Sequence, residues 1–208
     1  MVCCALHTGG LAQMNIEILP AFTIPIGVVK LGPEFCEPLK KYKGIEQFDF
    51  YVLDKIPDLK RKLIKLFSAY INLQILHTPN QEYTITTSWI TENTTGKPMG
   101  SHNHCNSYYS SVFYFDKVSK EHPALEFANP KMPEGFFVEP LRTTLSNCRS
   151  FAAPLEEGLI IFFPSYLYHH HKGYEPTEVI RKSLACNYIP IGMYGEGDST
   201  LDTRTIHG

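Results

Sequence analysis

The sequence lacks the marks of a cysteine-built scaffold. Its six cysteines fall at positions 3, 4, 36, 105, 148 and 186, with irregular spacing and no CxxC pair. That excludes a zinc ribbon and a disulfide framework, and reduced thiols in a cytosol are the expectation. Long apolar runs are missing as well: LIIFF, at 159–163, is far too short to cross a bilayer. The start, MVCCALHTGGLAQ, has neither the charged opening nor the continuous apolar core of a signal peptide, and nothing supports acylation of Cys3 and Cys4. No charge sign dominates. Nineteen Lys and Arg against 21 Asp and Glu give a net charge of −2, which leaves no electrostatic footprint for nucleic acid. The basic cluster KIPDLKRKLIK alternates with apolar residues and reads as the wet face of a helix.

What is present fits one globular domain. The chain has 208 residues, of which 43% are hydrophobic and 12% aromatic, enough for a substantial core but not for a second full domain. The organisation expected is helical and extended support over about 1–72, then a β core over about 73–199. In the first part, IEILPAFTIPIGVVKLG reads as extended segments broken by prolines. EFCEPLKKY reads as a short helix with Pro38 in its first turns. Ile56, Leu59, Leu63, Ile64, Phe67 and Ile71 recur at helical spacing and predict an amphipathic helix packed on a sheet.

From about residue 73 the chain becomes rich in Thr, Ile and aromatic residues. EYTITTSWIT, SSVFYFD, ALEFAN, GFFVEP, GLIIFFPS and VIRKSLACNYIP follow as short strands separated by Gly, Pro and Asn. Many short strands without intervening helices predict an antiparallel sandwich or barrel, here a jelly roll with helices on one side. ENTTGK carries a glycosylation sequon but reads more simply as a turn.

Two histidine clusters carry the chemistry. In GSHNHCNSYYS, an extended backbone over 101–106 projects His102 and His104 to one face and Cys105 to the other. Asn106 shares the parity of the histidines. A bare polar strand end with two exposed histidines gives the same pattern. The second cluster, His169-His170-His171, follows the apolar strand GLIIFFPS, and at most two of its members face one way. Two ligands from one segment and one from a distant strand would leave part of a metal's coordination sphere open, as a catalytic site requires. The alternative is a solvated loop. In VIRKSLACNY, Arg181, Ser183, Ala185 and Asn187 share a strand face. A buried Arg181 needs a partner, and its planar fork suits a carboxylate, either of a ligand or of an internal Glu or Asp.

Taken together, SWITENTTGKPMGSHNHCNSYYSSVFYFD, ALEFANP, GLIIFFPSYLYHHH and VIRKSLACNYIPIGMYGEGDS resemble the iron(II)- and 2-oxoglutarate-dependent oxygenases, and especially those of marine bacteriophages related to prolyl 4-hydroxylase. The matching stretches cover roughly 87–199. The resemblance implies a mainly β fold with flanking helices and a double-stranded β-helix core. It implies Fe(II) held by His102, His104 and His169, with no catalytic residue beyond the metal centre. It implies 2-oxoglutarate anchored through Arg181 and Ser183, with Tyr114 and, more weakly, Asn106 as further contacts. The reaction implied is hydroxylation by O2 with release of succinate and CO2.

One departure stands out. His104 occupies the place where the family carries aspartate or glutamate, so either three histidines form the site or a carboxylate such as Glu126 or Asp116 substitutes. A cupin-like three-histidine enzyme without 2-oxoglutarate, on iron or zinc, is the competing reading. A catalytically silent jelly roll is the third. The substrate implied is a protein or peptide (peptidyl proline or another amino-acid side chain) or a small molecule, and neither nucleic acid nor a membrane is an expected partner. The expected location is the cytoplasm, that of the host if the chain is viral.

Overall fold

The computed structural model describes residues 23–42, 49–76, 81–131, 139–145 and 147–205. Strand β1 (Gly27–Lys30) is followed by helices α1 (Pro33–Lys40) and α2 (Pro57–Ala69). The strands β2 (Glu82–Asn93), β3 (Met99–His102), β4 (Tyr109–Tyr114), β5 (Glu126–Ala128), β6 (Ser150–Ala152), β7 (Leu159–Pro164), β8 (His169–His171) and β9 (Arg181–Ile191) come next. A terminal ribbon of β10 (Met193–Tyr194) and β11 (Leu201–Asp202) closes the described chain.

The main strands form two antiparallel sheets, a five-stranded one in the order β1-β7-β4-β9-β2 and a four-stranded one in the order β3-β8-β5-β6. The fold is thus mainly β with helices at one side, as the strand-rich sequence predicts. β1 adds an edge strand to the larger sheet, with Gly27 opposite Phe162 and Lys30 opposite Leu159. The segment read as mere support therefore contributes to the core sheet itself.

The period of two divides the larger sheet between two cores. Tyr109 and Phe113 of β4, Ile160 and Phe162 of β7, and Leu184, Cys186 and Tyr188 of β9 face the helices. Val112, Tyr114, Leu159, Ile161 and Phe163 face the smaller sheet together with Leu125 and Phe127. The helix side is organised by α2. Pro57 fits its first turn, Asp58 complements the dipole there, and Leu59, Leu63 and Phe67 are buried at intervals of four. A wider π turn over Tyr70–Ile75 carries the stripe on to Ile71. Phe67 stacks on Tyr188 at 4.1 Å between ring centroids and meets Tyr83 edge-on at 5.1 Å. Such ring pairs add about 0.5–1.5 kcal/mol each beyond area burial.

α1 starts at Pro33, one residue before the expected EFCEPLKKY, and Pro38 lies inside it. The cause is that Pro33 is itself well suited to the first helical position. ENTTGK does turn: Asn93 at the end of β2 donates from Nδ2 to Lys97 O at 2.9 Å and accepts from Thr95 N. The expected strand GFFVEP, apart from its last two residues, and Cys3, Cys4 and IEILPAF lie outside the described residues.

Candidate metal centre

β3 and β8 pair so that His102 stands opposite His169. His104 arrives differently. The strand ends at His102, and the backbone over 103–108 is irregular. It is tied instead to the turn before β8: His104 N donates to Ser165 O at 3.0 Å, and Ser165 N donates to Tyr108 O at 3.2 Å. Parity along an extended 101–106 is therefore not what brings the histidines together. One ring nitrogen each of His102, His104 and His169 lie within 4.8 Å of one another. Among the described residues no other group of His, Cys, Asp and Glu gathers in this way. Cys105 is exposed and outside the group.

All three rings are oriented through Nδ1. That of His102 lies 2.9 Å from Gly100 O and that of His169 3.0 Å from Leu167 O. A carbonyl only accepts, so both Nδ1 atoms carry a proton, which in a neutral ring leaves the lone pair on Nε2. His104 Nδ1 lies 2.6 Å from Asn187 Oδ1. Burial pushes His169 down to about 4. His104 is lowered by burial, with the bond to Asn187 acting in the opposite direction. Neutral imidazoles with outward lone pairs are the form that binds a metal. By the chemistry of its donors this set fits a divalent transition metal, iron(II) included.

The histidines line a cavity whose volume is about 50 Å³. Arg181, Ser183 and Ala185 of β9 line it too, along with His171, Trp89 and Val112. Arg181 is only 4% exposed. Its Nη2 donates to Tyr114 Oη at 3.2 Å, while Nε is buried without a partner. No internal carboxylate pairs with it among the described residues. A buried cationic side chain that lines a cavity and keeps one N–H without a partner is a place for an anion.

The other candidates fall elsewhere. Glu126 pairs with Lys172 at 2.8 Å, and Asp116 lies 3.6 Å from Lys182. Both carboxylates are committed to lysines and neither belongs to the histidine group. Asn106 is exposed in a bend with φ +54 and does not line the cavity. Its shared parity fails because the strand has already ended. In β8, His169 and His171 both face inward, while His170 turns toward Glu126. Asn187, Ser110, His171 and Trp89 escaped attention as site residues, although Asn187 does share a strand face with Arg181.

Comparison with known proteins gives a family match over part of the chain and a shared fold. Residues 87–187 match the family described as "Putative 2OG-Fe(II) oxygenase". Three solved structures share the fold. A prolyl-4-hydroxylase from Pseudomonas putida is 13% identical with a TM-score of 0.54, covering 82% of this chain and 90% of that one. HygX from Streptomyces hygroscopicus with iron bound is 14% identical with a TM-score of 0.53, covering 81% and 83%. SnoN, a non-heme alpha-ketoglutarate-dependent epimerase from nogalamycin biosynthesis, is 15% identical with a TM-score of 0.55, covering 83% and 82%. No curated relative matches the chain in sequence. The matched segment, just under half of the chain, is similar to that family, and the solved structures show that the fold is shared. No helix among the described residues is long and apolar enough to cross a membrane.

Proposed function

We propose that the protein is an Fe(II)- and 2-oxoglutarate-dependent dioxygenase that hydroxylates an amino-acid side chain, peptidyl proline among the candidates. The observation that carries the reading is the buried, half-partnered guanidinium of Arg181 in the same cavity as the three histidine nitrogens. A three-histidine enzyme that needs no 2-oxoglutarate has no use for an unpaired buried cation. The phage kinship belongs to the same proposal and rests on the sequence resemblance.

His102, His104 and His169 would hold the metal through their Nε2 atoms. When bound, Fe(II) with 2-oxoglutarate supplies oxidative decarboxylation to succinate and CO2 coupled to hydroxylation. Arg181 anchors the distal carboxylate, with the Ser183 hydroxyl one pleat further on, and Tyr114 holds the guanidinium in place. Val112, Leu125 and Ala185 line the cavity with apolar surface and keep water out. Trp89 lines the same cavity, with its ring centroid 5.4 Å from that of His104.

Anaerobic addition of Fe(II) and 2-oxoglutarate tests the reading. A weak visible charge-transfer band that needs both components supports it. Tight zinc binding with no band on iron would favour the metalloenzyme without cosubstrate, and no metal uptake at all would favour a silent jelly roll.

A further inference from the structure

His104 differs from the other two histidines in what holds its ring. His102 and His169 are fixed by backbone carbonyls two residues earlier in the chain, at Gly100 and Leu167. His104 has no such local acceptor. Its Nδ1 meets two side chains, Asn187 Oδ1 at 2.6 Å, far along the sequence on β9, and Ser110 Oγ at 3.1 Å.

That amide is itself held on both ends. Asn187 Nδ2 donates to Thr87 Oγ1 at 2.9 Å, and the Ser110 hydroxyl donates to Asn187 Oδ1 at 2.8 Å. Ser110 is completely buried and lies 2.8 Å from the equally buried Ser165 hydroxyl. Ser165 is also the residue whose carbonyl accepts from His104 N. Backbone and ring of His104 are thus fixed by one connected set of polar groups between β4, β9 and the turn before β8.

The amide orientation and the Ser110 hydroxyl, which gives its proton to Asn187 Oδ1, together decide the tautomer. With Oδ1 toward His104, Nδ1 carries the proton and Nε2 keeps the lone pair. A flipped amide would present N–H to Nδ1, force the proton onto Nε2 and remove the ligand. An acceptor on the far nitrogen also raises the basicity of the ligating one. The Ser110 hydroxyl on Oδ1 and the tie to Thr87 favour the ligand-forming orientation.

We propose that Asn187, held by Thr87 and Ser110, is a positioning residue that makes His104 a metal ligand in the place where the family carries a carboxylate. The inference rests on the three-histidine reading and adds a requirement to it. β9 then serves the site at two points along one face, Arg181 toward the cosubstrate and Asn187 toward the metal ligand. A carboxylate at position 104 would need no tautomer control, so the dependence on Asn187 belongs to the histidine.

The test is titration of the full chain with Co(II), read by its visible d–d absorption, alongside thermal melts. Asn187→Leu is expected to weaken Co(II) binding by at least about tenfold, the scale on which outer partners of a ligating histidine act. Asn187→Asp keeps the size and supplies a stronger acceptor, so it is expected to bind at least as tightly as the native chain, with shifted bands. In a His104→Asp background, Asn187→Leu is expected to have no effect on affinity. Native affinity and spectrum in a folded Asn187→Leu protein would overturn the inference. If Asn187→Leu does not fold, Asn187→Asp decides alone, and bands identical to native would overturn it. A native chain that takes up no Co(II) removes the three-histidine site together with this inference. Uptake that ignores position 187 removes only the inference.

Discussion

Arg181 and Tyr114 form a buried pair across β9 and β4: the guanidinium lies 5.2 Å over the tyrosine ring and donates to its hydroxyl at 3.2 Å. The cation is therefore held in place before any ligand arrives. One edge of the fork is used by Tyr114, and Nε remains open. Burial raises the Tyr114 hydroxyl pKa while the neighbouring guanidinium opposes that rise, so the phenol stays neutral.

Arg181→Ala is expected to weaken 2-oxoglutarate binding while metal is still retained. Loss of a charge-assisted bond of about 1.5–3 kcal/mol corresponds to roughly tenfold to over a hundredfold in Kd. Anaerobic titration of the Fe(II) protein with 2-oxoglutarate measures it, with Co(II) uptake as the control. Unchanged cosubstrate affinity would remove Arg181 from the anchor. Tyr114→Phe is expected to act more weakly, since it removes one neutral partner and leaves the cation.

Replacement of the acidic candidates separates the two ligand sets. Glu126→Gln and Asp116→Asn are expected to leave Co(II) affinity unchanged, because both carboxylates already pair with lysines away from the histidines. His169→Ala is expected to abolish retention of metal through gel filtration. A large fall in affinity for Glu126→Gln, with His104→Ala silent, would mean that the carboxylate and not His104 completes the site.

Legibility of the fold and the site in the sequence followed the range of the interaction. The stripe Leu59, Leu63, Phe67 and the alternation along β9 are local patterns, and both elements formed where they predict. The cluster of His102, His104 and His169 was approachable because two of its members are neighbours in the chain. Asn187 was not, since its partner lies 83 residues away and only strand register brings them together. β1 was legible only as an extended segment, because its place at the edge of the larger sheet is defined by pairing with Leu159–Phe162. The three consecutive histidines illustrate the limit of parity. Alternation says that one differs from the other two, but pairing of β8 with β3 and β5 decides that His170 is the outward one.

Gly96 offers a test of the loops beside the cavity. Its φ is +66, and a Cβ there would lie 2.0 Å from Tyr174 O. The close approach lets Tyr174 N donate to Gly96 O at 2.9 Å, joining the turn after β2 to the segment after β8. Gly96→Ala is expected to cost about 1–3 kcal/mol for the left-handed backbone, and more if the contact cannot relax. Urea denaturation measures the loss. Hydrogen exchange at Tyr174 N is expected to rise with it, because that amide loses its acceptor. An unchanged midpoint with native protection at Tyr174 would show that the two segments are not joined through Gly96.

Phe67 sits on the other side of the larger sheet and probes whether the helix layer only supports the site. Its ring touches Tyr188, Tyr83, Tyr109 and Phe162, so four aromatic partners lose contact if it is removed. Phe67→Ala is expected to destabilise the protein by about 3–5 kcal/mol, the usual cost of emptying a large core position. Denaturant unfolding gives the value, with Phe67→Leu expected to recover a good part of it. Tyr188 and Asn187 are adjacent on β9 but point to opposite faces, one to Phe67 and the other to His104. While the variant remains folded, its Co(II) affinity is therefore expected to stay within about threefold of native, a difference of less than 1 kcal/mol. A larger loss would mean that repacking beneath β9 reaches His104 through the strand, and that the helix layer sets the site's geometry as well as its stability.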